Sequence, residues 1–72
     1  MEGILIYNES IGRPDLVLPE GKLLGGLHCG DCLEFRVNGL TSSGRLEHME
    51  DWVIIINCIP ADPPYGQSIL LI

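Results

Sequence analysis

Seventy-two residues, 46% of them apolar, carry ten carboxylates against four cations and a net charge of −6. That balance argues against a nucleic-acid binder, which needs a basic stripe to displace counterions from phosphates, and against an anionic membrane surface as target. No stretch approaches the ~18 apolar residues of a membrane span, and Met1-Glu2-Gly3 lacks the basic start of a leader, so the chain reads as cytoplasmic with three reduced cysteines.

So short a chain makes a single domain, residues 1–72, whose core supplies only ~3–5 kcal/mol. No window holds a helical period. Apolar residues come in short runs cut by Gly, Pro, Asn and Asp, the pattern of an all-β domain. Ile4–Tyr7 is the first strand, and Asn8–Pro14 is a loop. Asp15–Leu18 is a short second strand between Pro14 and Pro19, and these prolines place it at a sheet edge. Gly21, Gly25 and Gly26 then form a flexible connection to Leu27-His28-Cys29-Gly30-Asp31-Cys32.

From Leu33 to Val37 the sequence alternates. Leu33, Phe35 and Val37 face one way, and Glu34 and Arg36 the other. Asn38-Gly39 predicts a two-residue type I′ hairpin that pairs Val37 with Leu40. In that register Leu40 and Leu46 share the greasy face, while Thr41, Ser43 and Arg45 share the charged one. The strand runs on to Met49, and Met49-Glu50-Asp51 turns. Trp52–Cys58 is apolar on both faces and predicts a central strand. Ile59–Gly66 is a proline-rich loop, and Ser68–Ile72 is the last strand. Together these make a small SH3-like, partly open barrel of five to six short antiparallel strands. Either the barrel closes over its apolar surplus, or a partner or a second copy in a homo-oligomer covers it.

The densest reactive set is His28, Cys29 and Cys32. Cys-x-x-Cys lets one turn offer two thiolates to zinc, with Cys58 and His48 as distant additions, but no second pair follows. A redox or nucleophilic role needs a helix N-terminus or a base with an orienting third group, and a strand follows instead. The plainer expectation is that Cys29 fills a core niche, Cys32 lies on the surface, and Asp31 caps backbone N–H groups of the turn. Catalytic residues, cofactors and a metal are therefore not expected. The candidate binding residues are Glu34, Arg36, Arg45 and Glu47 on the charged face, where they pair across the sheet, together with Trp52 and Tyr65.

Gly3-x-Leu5-Ile6-Tyr7-Asn8-Glu9, Gly12-Arg13, Leu27-His28-Cys29-Gly30-Asp31-x-Leu33-Glu34, Asn38-Gly39, Arg45-Leu46-Glu47-His48 and Trp52 together resemble a small domain family of unknown function. That family is met in Gram-positive bacteria, their phages and their mobile elements. The similarity spans about the first three quarters of the chain. Leu40 stands where the family carries a tryptophan, and the Pro60–Tyr65 loop and Ile69–Ile72 ending also depart from it. The resemblance implies a small β domain in a bacterial host and carries no activity over. The expected function is a non-enzymatic binding protein, encoded by a phage or mobile element, that inhibits a host defence protein by direct contact. The alternatives are an oligomeric sponge for a nucleotide-type ligand, an acidic nucleic-acid mimic and a structural zinc module.

Overall fold

The computed structural model of the protein describes residues 1–72. It is all-β: β1 (Glu2–Asn8), β2 (Arg13–Val17), β3 (Cys32–Val37), β4 (Leu40–His48), β5 (Trp52–Ile56), β6 (Ile59–Ala61) and β7 (Ser68–Leu71). The seven strands form one antiparallel sheet in the order β2-β1-β7-β3-β4-β5-β6, which curls into a small, partly open barrel. It contains no helix long and apolar enough to cross a membrane.

One face of nearly every strand feeds the core. Leu5, Leu16, Leu33, Phe35, Leu46, Ile54 and Ile69 come from β1, β2, β3, β4, β5 and β7, and Leu27 joins them from the connection. The period-2 alternation sends their neighbours outward. The sheet closes where β5 meets the turn between β1 and β2: Trp52 Nε1–H donates to the Gly12 carbonyl at 3.2 Å. Gly44 is required by this curl, since a Cβ there would lie 2.6 Å from Ile54 Cγ1 and 2.8 Å from the Ile55 carbonyl oxygen. Some apolar surface stays outside, with Leu40, Ile59 and Ile72 exposed.

The hairpin follows local chemistry. Val37 pairs with Leu40, and the register runs through Phe35↔Ser42 and Leu33↔Gly44 to Cys32↔Arg45. Asn38 and Gly39 take φ of 51° and 80°, as a type I′ turn demands. The greasy face nevertheless runs out of core at the tip, where Val37 and Leu40 are exposed.

Of four expectations, one holds and three are corrected. First, β2 ends the sheet as expected, with its outer side covered. Residues 22–27 run back along it through Leu18 N to Lys22 O, Leu24 N to Leu16 O and Leu27 N to Pro14 O bonds of 2.8, 2.9 and 2.8 Å. Second, the glycine connection is pinned rather than loose, because Asp15 holds both Gly25 and Gly26. Third, the Trp52 strand is not central. It stops at Ile56, and Asn57 and Cys58 turn with φ of 50° and 66° into β6, which makes the strand count seven. The middle of the sheet is β3. Fourth, Cys29 fills no core niche. Leu27 takes the buried place, and Gly30, at φ 91°, swings the turn outward.

Candidate functional site

The His28–Asp31 turn is a corner. Asp31 Oδ2 accepts the His28 N–H at 2.8 Å, so it caps a backbone N–H of the turn as expected, reaching three residues back rather than two forward as in an Asx turn. Gly30 N–H donates to the Leu46 carbonyl at 2.8 Å, and Leu46 N–H donates to the Asp31 carbonyl at 2.9 Å. The turn thereby docks on β4 and launches β3. Its side chains do not converge. Cys29, Cys32 and Cys58 are all exposed thiols, and no three His, Cys, Asp or Glu side chains gather as metal ligands. Cys32, Cys58 and His48 face a shallow cleft of about 810 Å³ over β4–β6, whereas His28 and Cys29 lie away from it.

The six candidate binding residues fall into three places. Arg45 and Glu47 line the β4–β6 cleft. They pair with each other along one strand, not with Glu34 and Arg36 across the sheet as expected. The reason lies in the register: Cys32 and Ser43 stand opposite Arg45 and Glu34, so the charges on β3 and β4 are offset. Arg36 Nη1 instead donates to the Gly39 carbonyl at 3.3 Å within the hairpin. Glu34 and Arg36 border a second cleft of about 630 Å³. It opens where the β3–β7 ladder ends at Glu34↔Leu70.

Trp52 and Tyr65 meet in the third place, at the closure of the barrel. After β6 the chain crosses this end of the molecule as Asp62-Pro63-Pro64-Tyr65-Gly66, with Pro63 buried beneath. Gly66 N–H donates to the Leu5 carbonyl at 2.7 Å, which ties the crossing to β1. It sets Tyr65 against Tyr7 edge to face, with ring centroids 6.1 Å apart and planes at 87°. Tyr7, Trp52 and Tyr65, with Asp51, Asp62 and Pro63, line a half-open cavity of about 330 Å³. Trp52 is further braced by His48, 5.0 Å between centroids, and by the Arg13 guanidinium 5.7 Å from its ring centre.

The electrostatics of this corner are negative. The Tyr65 hydroxyl titrates above its usual 10.0, first because it is partly buried, then because Tyr7, Asp62 and Asp51 stand near it. Tyr7, Asp51 and Asp62 were not among the sequence candidates. They are distant in sequence from one another, and only the closure of the barrel collects them. A proline-stiffened loop carrying one tyrosine toward an aromatic strand end was the available signal.

A family model described as a domain of unknown function (DUF5348) matches residues 3–69. The chain belongs to that family. The match reaches past the first three quarters and takes in the Pro60–Tyr65 loop and part of the last strand. A crystal structure of a protein from Ruminococcus gnavus is similar, with a TM-score of 0.79 and 29% identity over 96% of this chain and 97% of that one. No curated protein matches.

Proposed function

We propose that this family member is a non-catalytic binding protein that engages a basic protein partner through the closing end of its barrel. The distribution of charge supports this reading. Of the ten acids, only Asp15 is buried. Glu9, Glu50, Asp51 and Asp62 lie on the turns and loop of the closing end. The cation at that end is Arg13, which is turned onto the Trp52 ring and the Leu27 carbonyl. Such a surface attracts cationic partners and accelerates their encounter in a salt-dependent way.

The finer reading is that a phage or mobile element encodes the chain and that its partner is a host defence protein, inhibited by contact. It rests on the size of the domain and on the resemblance. The nucleotide-sponge reading fits less well. It needs cations that converge on phosphates, but Arg13 is spent on Trp52, Arg36 on the hairpin and Arg45 on Glu47.

The test is calorimetric titration with a lysine- and arginine-rich peptide and with its glutamate-substituted counterpart, at low and high salt. The expected result is binding of the basic peptide alone, weakened by salt and by the charge reversals Glu50→Lys and Asp62→Lys. Equal binding of both peptides, or affinity indifferent to salt and to the reversals, would overturn the proposal.

A further inference from the structure

Three aromatic side chains and two carboxylates share the 330 Å³ cavity at the closure. Its volume sits at the lower limit of the ~300–1,000 Å³ typical of small-molecule pockets, so it suits one side chain better than a whole nucleotide. Two of its walls, Tyr7 and Tyr65, stand at 87° to each other, the corner of an aromatic box. Ring faces carry negative electrostatic potential and attract cations, most strongly where water is partly excluded. Asp51 and Asp62 add full negative charges to the same lining. The corner already holds a cation on an aromatic ring, since Arg13 lies over Trp52 from outside the cavity.

We propose that the cavity of Tyr7, Trp52 and Tyr65 receives the ammonium end of a lysine side chain from a basic partner protein, with Asp51 and Asp62 as counter-charges; this deepens, and rests on, the reading of the chain as a binder of basic protein. The aromatic walls cover the lysine methylenes, and the carboxylates meet the charge as it loses water. The Asp51 and Asp62 carboxylates, which add to the burial of Tyr65 in disfavouring its tyrosinate, are the charges that favour an ammonium there. An uncharged chain of the same length gains the apolar contact and forgoes the rest.

Trp52 is the single tryptophan, so its fluorescence and its indole N–H resonance report on this corner alone. The experiment titrates the protein with a capped neutral peptide bearing one lysine, with its norleucine analogue and with choline. The lysine peptide is expected to give a saturable Trp52 response, and the norleucine peptide a response about tenfold weaker. Tyr65→Leu should weaken the lysine peptide about tenfold, with a dispersed amide spectrum checking its fold. Asp51→Asn with Asp62→Asn, at exposed positions, should weaken it without touching the rings. A norleucine response equal to that of lysine would overturn the site, leaving only an apolar crevice. Tighter binding of choline than of the lysine peptide would overturn the protein-side-chain assignment. No response to any of the three would overturn the cavity, while salt-dependent binding of the polybasic peptide would leave the broader reading standing.

Discussion

Asp15 Oδ1 accepts the Gly26 N–H at 2.8 Å, and this bond joins β2 to the segment that leads into the His28 corner. The same oxygen takes the Gly25 N–H at 3.0 Å and the Leu16 N–H at 2.8 Å, and Oδ2 takes Asn8 Nδ2 at 3.0 Å. One carboxylate thus satisfies backbone donors that the irregular Gly25-Gly26 backbone, at φ of 110° and 116°, withholds from the ladder. Charged hydrogen bonds of this kind contribute about 1.5–3 kcal/mol each, so Asp15→Asn should cost about 2 kcal/mol in urea unfolding. A loss below about 0.5 kcal/mol would mean that the glycines are held by something else.

Asp15 also sets an acid limit to stability. Burial raises its pKa, but the bonds from Asn8, Gly26, Leu16 and Gly25 outweigh burial and hold it below the usual 3.8. The unfolded chain therefore takes up this proton more readily than the folded one. The contribution of Asp15 is complete above the unfolded pKa and is lost as pH falls through the folded value. Melting temperature should drop as the pH falls below the usual 3.8 of an aspartate, and Asp15→Asn should flatten that drop. An unchanged slope in the variant would assign acid lability to other carboxylates.

Which parts of this molecule were legible in the sequence depends on how far each cause reaches along the chain. The Asn38-Gly39 hairpin and its Val37–Leu40 pairing were legible because a turn dipeptide and a period-2 pattern act over neighbours. The cap of His28 by Asp31 was legible for the same reason. The Asn57-Cys58 turn was not: it interrupts an apolar run, and a left-handed cysteine leaves no compositional mark. The cover over β2 was hidden because it depends on a carboxylate reaching ten and eleven residues forward. The aromatic cavity is the extreme case. Tyr7, Trp52 and Tyr65 share nothing in sequence and meet only when the last crossing docks on β1.

Trp52 closes the barrel through one hydrogen bond as well as through its ring. Trp52→Phe keeps most of the aromatic surface against His48 and Arg13 but removes the donor to Gly12. The expected loss is about 1 kcal/mol, seen as a lower urea midpoint with an unchanged slope. A change in slope would mean instead that the closure opens and the folded state itself expands.

Gly44 is constrained by space rather than by backbone angle. A methyl group there meets Ile54 Cγ1, a core side chain, and the backbone carbonyl of Ile55, neither of which can move aside freely. Gly44→Ala should therefore cost about 1–3 kcal/mol, the range of overpacked sites. Ser43→Ala, one residue away and exposed, should change stability by less than about 0.5 kcal/mol. Equal effects at the two positions would mean that β4 relaxes around the added methyl.

The exposed thiols make the last test. Cys29, Cys32 and Cys58 all reach solvent, and the His28 corner is held by backbone and Asp31 bonds, to which sulfur adds one long, exposed contact, Cys32 Sγ to the Gly30 carbonyl at 3.7 Å. A thiol reagent should label all three cysteines in the native state without a slow phase limited by unfolding. Cys29→Ser with Cys32→Ser should leave the melting temperature nearly unchanged, since surface substitutions shift stability by about 0.5 kcal/mol or less. If Cys29 resists labelling, or if the double variant loses several kcal/mol, the corner depends on its sulfurs, and a metal or core role for them must be reopened.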